Sequence, residues 1–192
     1  MKPRLRPAAP LQRGDAAATV APSSALLSDQ QLLEGLSILR AWGLKPLEQH
    51  VAGRTWGYLA GPDRDRRNDL SQRAPLLACA RGGWGAARLL EQPMAWSQGW
   101  LLGFSDITAL LWARLAAGYD GNVHGPLLTT LASEPQWSRE RLRCLLFGEP
   151  LPDLSGQPGG GGETSGPLLV ANLTVASHLL GSCWMPDLDG AI

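Results

Sequence analysis

The sequence predicts an α/β protein: a mainly parallel sheet with helices on both faces, followed by the incomplete start of a second, smaller domain. Three observations predict it. The segments 16–21 (AAATVA), 75–80 (PLLACA) and 100–102 (WLL) are short and apolar along their whole length, as strands buried on both faces are. Each stops at a turn of Gly, Pro or Ser. After each turn a helical pattern begins, and strands that alternate with helices imply parallel pairing.

The elements follow in order. Segment 16–21 ends at Pro22-Ser23-Ser24, a loop at the sheet's carboxyl edge. Ser28 and Asp29 offer a cap for a helix whose stripe is Leu32, Leu33, Leu36 and Leu39 and which Gly43 closes. Residues 44–47 make a short second strand, interrupted by Pro46. Residues 58–63 turn into a charged helix over 64–72, where Arg64, Arg66, Arg67 and Asp69 are expected to face water. Segment 75–80 runs into Arg81-Gly82-Gly83-Trp84-Gly85 and then a helix over 86–90. Segment 100–102 meets Gly103-Phe104-Ser105-Asp106, with Asp106 expected to cap a helix that carries Ile107, Leu110, Leu111 and Leu115 at helical spacing. A strand at 121–124 and a helix over 135–147, with Leu142, Leu145 and Leu146 inward, complete a unit of residues 1–148. Residues 149–166, rich in Gly and Pro, are expected to be a linker or exposed loop. Residues 167–192 begin a further unit, with a helix over 172–180 and a strand entered at Gly190-Ala191-Ile192.

Composition narrows the partners. Seventeen basic residues balance 17 acidic ones, which removes the electrostatic reason to expect nucleic acid or an anionic membrane surface. No signal-peptide core forms before the breaks at Pro10 and Gly14, and no apolar run reaches membrane-spanning length. Cys79, Cys144 and Cys183 are odd in number and widely spaced, as in a reduced cytoplasmic protein.

Two turns invite chemistry. A strand-to-helix elbow at Ser105 would hold its hydroxyl clear of the sheet and aim the first free N–H groups of the helix at the atom it attacks. A Ser-Asp pair at a helix start also serves as a plain cap, and Gly-x-Ser-Asp is not the Gly-x-Ser-x-Gly of the α/β-hydrolases. The Gly82-Gly83 turn would expose backbone N–H groups to phosphate or to a developing oxyanion, with Arg81 or Arg88 holding a carboxylate, or would need its glycines for dihedrals alone. Its spacing matches neither common nucleotide-binding fingerprint. His124, beside Gly125-Pro126, reads as a general base for Ser105 or as a structural hydrogen-bonder. His50 and His178 have less to recommend them.

Five segments, in order and spacing, resemble the LD-carboxypeptidase family of serine peptidases, near relatives of the microcin-immunity peptidases. They are Ala21-Pro22-Ser23-Ser24, Leu59-Ala60-Gly61 with Asp63, Arg81 to Leu90, Gly103 to Leu110, and His124-Gly125-Pro126. The resemblance covers residues 11–192. It implies a cytoplasmic hydrolase that removes the terminal D-alanine of a murein tetrapeptide in peptidoglycan recycling, without metal or cofactor. On that resemblance Ser105 is the nucleophile, and the backbone N–H groups of Asp106 and Gly83 form the oxyanion hole. Arg81, Gly82, Trp84 and Gly85 lie against the substrate.

The chain also departs from the family. Val170-Ala171 stands where Gly-Gly is usual. The family's glutamate and histidine belong to the second domain, and the strand that carries the glutamate has only begun at Gly190. His124 matches a segment that is not catalytic in the family. The chain alone is therefore expected to be inactive, as part of a truncated or split enzyme whose base and acid come from elsewhere, in a homodimer or from a second chain. The alternatives are an inactive relative that binds D-amino-acid-terminated peptides, and a phosphate or nucleotide binder.

Overall fold

The computed structural model describes residues 5–48, 50–156 and 162–192. Among the described residues five strands form one all-parallel sheet in the order β2-β1-β3-β4-β5: β1 (Ala16–Val20), β2 (Lys45–Pro46), β3 (Leu76–Cys79), β4 (Trp100–Gly103) and β5 (Asn122–His124). The expected parallel α/β architecture is thus present. Its register pairs Val20 with Cys79 and Gly103 with His124, so the loops after β1, β3, β4 and β5 leave from one rim.

Strand geometry explains the continuous apolar runs. Successive side chains point to opposite faces, and both faces are covered here. Ala18, Val20, Leu77 and Cys79 enter one core, with Leu70 of α2 (Asp63–Leu70) and Leu110 of α3 (Thr108–Ala116). Ala17, Leu76, Ala78 and Ala80 enter the other. There they meet Leu32 and Leu39 of α1 (Gln30–Ala41), Leu131 of α4 (Leu128–Leu131) and Leu142 of α5 (Gln136–Phe147). Pro46 is tolerated because β2 is an edge strand. Gly35 lets α1 approach α4, since a Cβ on it would lie 2.0 Å from the Leu128 carbonyl oxygen.

Three sequence expectations fail. In α2, Arg66 is fully buried and Asp69 nearly so, although Arg64 faces water as expected; the fold drives the inner edge of this polar helix under the loops after β1 and β3. The segment after residue 86 is a 3₁₀ turn over Ala87–Glu91, not an α-helix. At the C-terminal end, 190–192 is no strand: its backbone is held by Ile192 N–H to Pro167 O and Leu169 N–H to Ile192 O, both 2.9 Å, without a longer ladder among the described residues.

The expected helix of 172–180 is shorter, α6 (Leu173–Ser177), with the Asn172 side chain accepting from the Val175 N–H. Residues 170–179 pack on α3: the Trp112 indole donates to the Val170 carbonyl, and Ala176 and Leu179 join its core. The outer side of this stretch leaves Leu168, Leu173 and Leu180 exposed. Residues 149–156 are irregular, and part of the expected linker, 157–161, lies outside the described residues. Among the described residues no helix is long and apolar enough to cross a membrane.

Candidate active site

The site begins at the elbow after β4. Phe104 is extended, Ser105 turns to φ +64°, and a 3₁₀ turn over Ser105–Ile107 leads into α3. Among the described residues Ser105 is the only non-glycine residue with positive φ. Left-handed backbone costs an L-residue about 1–2 kcal/mol, so surrounding packing must hold it. The Ile107 N–H closes the turn on the Phe104 carbonyl at 3.3 Å. Ser105 is half-buried, and its hydroxyl has no hydrogen-bond partner among the described residues.

The Gly82-Gly83 loop lies against this elbow. A Cβ on Gly82 would stand 3.2 Å from the Ser105 Cβ and 3.5 Å from its Oγ; one on Gly83, at φ +120°, would stand 2.2 Å from the Ser24 Oγ. Glycine is therefore required for close approach as well as for dihedrals. Among the described residues the N–H groups of Gly83 and Asp106 have no acceptor.

Asp106 does not cap α3, contrary to expectation. The intervening 3₁₀ turn swings its carboxylate inward, where Oδ2 accepts from the Ser23 hydroxyl at 2.5 Å and the Ala86 N–H at 2.9 Å. The loop is held from other sides too. Ser24 Oγ accepts from the Trp84 N–H at 3.2 Å, and Arg66 Nη1 donates to the carbonyls of Pro22 and Gly85 at 2.6 and 2.9 Å. Arg66 also pairs with Asp63 at 2.5 Å. Burial alone would raise the Asp63 pKa, but hydrogen bonds and charge from Arg66 and Arg88 outweigh it and hold the carboxyl below its ordinary value.

A cavity of about 440 Å³ opens beside the elbow, with Arg81, Gly82, Gly83, Ser105, Gln31 and Thr129 in its wall. Arg81 spends Nη1 on the Ala25 carbonyl at 3.0 Å. Trp84, 66% exposed, and Gly85 stand outside this wall. Arg88 is not placed to hold a ligand carboxylate, because its guanidinium pairs with Asp63 at 2.7 Å and covers the Trp56 ring. A larger depression, about 650 Å³, lies at the opposite rim, where Asp15, Arg73 and Gly99 precede their strands. It contains none of these groups.

His124 does not bond Ser105. Its ring lies 6.2 Å from that of Phe104, and its Nε2 is buried without a partner among the described residues. Burial pushes its pKa down, against a smaller upward contribution from a bond to its own backbone, so the neutral imidazole is favoured. Among the described residues no three His, Cys, Asp or Glu side chains converge as metal ligands do. Sequence reasoning missed Ser23 and Arg66. Ser23 lies within Ala21-Pro22-Ser23-Ser24, while nothing local to α2 distinguishes Arg66 from its solvated neighbours.

A parallel α/β sheet that presents a left-handed serine beside a glycine loop at its carboxyl rim defines the class of open α/β proteins that gather their sites at that edge. Within that class the chain belongs to the LD-carboxypeptidase family: the model of the family's N-terminal domain matches residues 17–125.

Sequence relatives agree. A Synechocystis protein provisionally named a carboxypeptidase is 43% identical over 191 residues, 95% of this chain. A Streptomyces coelicolor protein of the same provisional name is 36% identical over 161 residues, 77% of this chain. The chain spans 63% and 51% of the lengths of these two relatives. Among solved structures, the microcin C7 self-immunity protein MccF aligns with TM-score 0.78 at 21% identity, covering 97% of this chain and 69% of that one. The muramoyltetrapeptide carboxypeptidase of Oxalobacter formigenes aligns with TM-score 0.71 at 20% identity, covering 90% and 62%. At such identities the structures speak to the fold alone.

Proposed function

We propose that this chain is the nucleophile-bearing part of a cytoplasmic serine carboxypeptidase that cleaves the L,D peptide bond before the terminal D-alanine of a murein tetrapeptide. The observation that carries this reading is the left-handed Ser105 beside Gly82, so close that a Cβ on Gly82 would stand 3.2 Å from the Ser105 Cβ. The family match and the 43% identity to a Synechocystis protein provisionally named a carboxypeptidase support the reaction class. Residues 1–148 form the nucleophile-bearing unit, 149–166 the connection, and 167–192 the start of a second unit.

The chemistry is acyl transfer. Ser105 Oγ bonds to the amide carbon as its proton leaves to a base. The oxygen, now negative, is held by the N–H groups of Gly83 and Asp106. The C–N bond then breaks, D-alanine leaves with a proton on its amine, and water hydrolyses the ester to restore the hydroxyl. Arg81 meets the substrate carboxylate across the cavity, with Gly82 forming its wall and Trp84 and Gly85 shaping the loop's outer side. No metal or cofactor takes part.

Neither His124 nor any carboxylate reaches the Ser105 hydroxyl among the described residues. Base and acid are therefore expected from outside the described residues, from the remainder of a longer enzyme, a second chain or a second copy. A serine without them loses several orders of magnitude in rate.

Calorimetry with a murein tetrapeptide, paired with an assay for released D-alanine, tests both halves. Binding is expected, weakened about tenfold in Arg81→Ala by loss of a charge-assisted contact, with no release by the chain alone. Release that disappears in Ser105→Ala would overturn the predicted inactivity. Absence of tetrapeptide binding would sink the substrate class, and tight nucleotide binding lost in Gly83→Val would replace it with a phosphate-binding role.

A further inference from the structure

We propose that the Asp106 side chain, acting with Ser23, is a positioning device that sets the distance between the two oxyanion donors; this rests on the assignment of those donors to Gly83 and Asp106. The two N–H groups come from different connections, the loop after β3 and the elbow after β4. Strand pairing stops short of both. The last β3–β4 pair is Ala78 with Leu102, leaving five residues to Gly83 on one side and four to Asp106 on the other. Something beyond the sheet must therefore fix one loop against the other.

Asp106 does so with a single atom. Its backbone N–H has no acceptor among the described residues, while its Oδ2, 2.5 Å from Ser23 Oγ and 2.9 Å from Ala86 N, reaches back across the glycine loop. Ala86 follows Gly85 directly, so the carboxylate grips the far end of the turn that displays Gly83. Ser23 extends the grip. Its hydroxyl also lies 3.1 Å from the Trp84 carbonyl, and the neighbouring Ser24 Oγ receives the Trp84 N–H.

Asp106 is 6% exposed and Ser23 fully buried, so water does not compete for these bonds. No arginine or lysine is bonded to the Asp106 carboxylate among the described residues. A cation there would add attraction without direction. A hydroxyl and an amide give direction, and an oxyanion hole depends on donor placement within a few tenths of an ångström.

A plain structural role for Asp106 predicts equal losses for any ligand of the site. Positioning of the donors predicts a selective loss, felt by a ligand that carries the tetrahedral oxyanion. The experiment uses the full chain with two ligands, a murein tetrapeptide and its phosphinate analogue, whose tetrahedral anionic centre replaces the scissile amide. It compares the parent with Asp106→Asn and Ser23→Ala. Alongside, hydrogen exchange is followed at the Trp84 N–H, which is bonded to Ser24 and touches neither altered side chain.

Both variants are expected to bind the phosphinate about tenfold more weakly relative to the tetrapeptide, a part of the hundredfold or more lost when such a donor is removed outright. Trp84 exchange is expected to quicken about tenfold. If Asp106→Asn does not fold, Ser23→Ala keeps the carboxylate and carries the same two readouts. An unchanged ligand ratio with unchanged Trp84 exchange overturns the positioning role, and so does an equal loss for both ligands. If the parent binds neither ligand, the substrate reading fails, and Trp84 exchange alone decides whether the brace exists.

Discussion

Replacing Gly83 by alanine should damage the fold and the candidate site together, for two separable reasons. The residue sits at φ +120°, where an L-residue pays about 1–3 kcal/mol. Its new methyl would lie 2.2 Å from the Ser24 Oγ and 2.8 Å from the Ser24 Cβ, an overlap with a buried side chain that costs about 1–3 kcal/mol to relieve. The expected loss is about 2–6 kcal/mol, or on the order of 10 °C in melting temperature for a chain of this size.

Urea denaturation of the parent, Gly83→Ala, Ser24→Gly and the double variant separates the parts. Ser24→Gly deletes both clashing atoms but leaves the dihedral strain, so the double-variant cycle should show a favourable coupling of about 1–3 kcal/mol. A Gly83→Ala variant within 0.5 kcal/mol of the parent would refute the close approach of these loops. Zero coupling to Ser24 would refute the contact as the source of the overlap.

Three further changes follow from the same packing. Arg66→Lys should cost about 3–5 kcal/mol in denaturant unfolding, as breaking a buried pair does. One ammonium cannot reach the carbonyls of Pro22 and Gly85 and the Asp63 carboxylate as the guanidinium fork does, and parent-like stability would contradict that count. Because burial depresses the His124 pKa below 6.5, the unfolded chain binds that proton more readily; stability should fall as pH drops through 6.5 and level off below the folded value. His124→Gln should remove this component from urea midpoints measured between pH 5 and 8, and an identical profile in parent and variant would show that His124 charges freely. Gly35→Ala should cost more than about 3 kcal/mol, at the upper end of overpacking penalties, because its Cβ would meet a backbone carbonyl, which cannot swing away. Thermal melting within 2 °C of the parent would show that α1 and α4 stand further apart.

The sheet was readable because parallel strands buried on both faces leave continuous apolar runs, and 16–21, 75–80 and 100–102 have no other use for them. Ser105 was readable as an elbow because a strand pattern gives way to a helix pattern within four residues. The direction of the Asp106 side chain was not, since a 3₁₀ turn and a true cap share the same letters and only the Ser23 and Ala86 partners, 83 and 20 residues away, decide between them. Arg66 was hidden for a similar reason. Its two carbonyl acceptors lie 44 and 19 residues distant, so α2 carries no local sign that one of its arginines points inward. The strand expected at Gly190-Ala191-Ile192 failed because pairing needs a neighbouring strand, which three letters do not encode.

The five strands all run the same way, so every connection that touches Ser105 departs from one end of the sheet, while the turns at Gly14, Gly43 and Gly118 gather at the other. Chemistry and tolerance are thereby segregated. Tags, insertions or new chain ends placed at the second end should leave the hydroxyl and its amides in register, which makes that end the natural place to engineer this molecule.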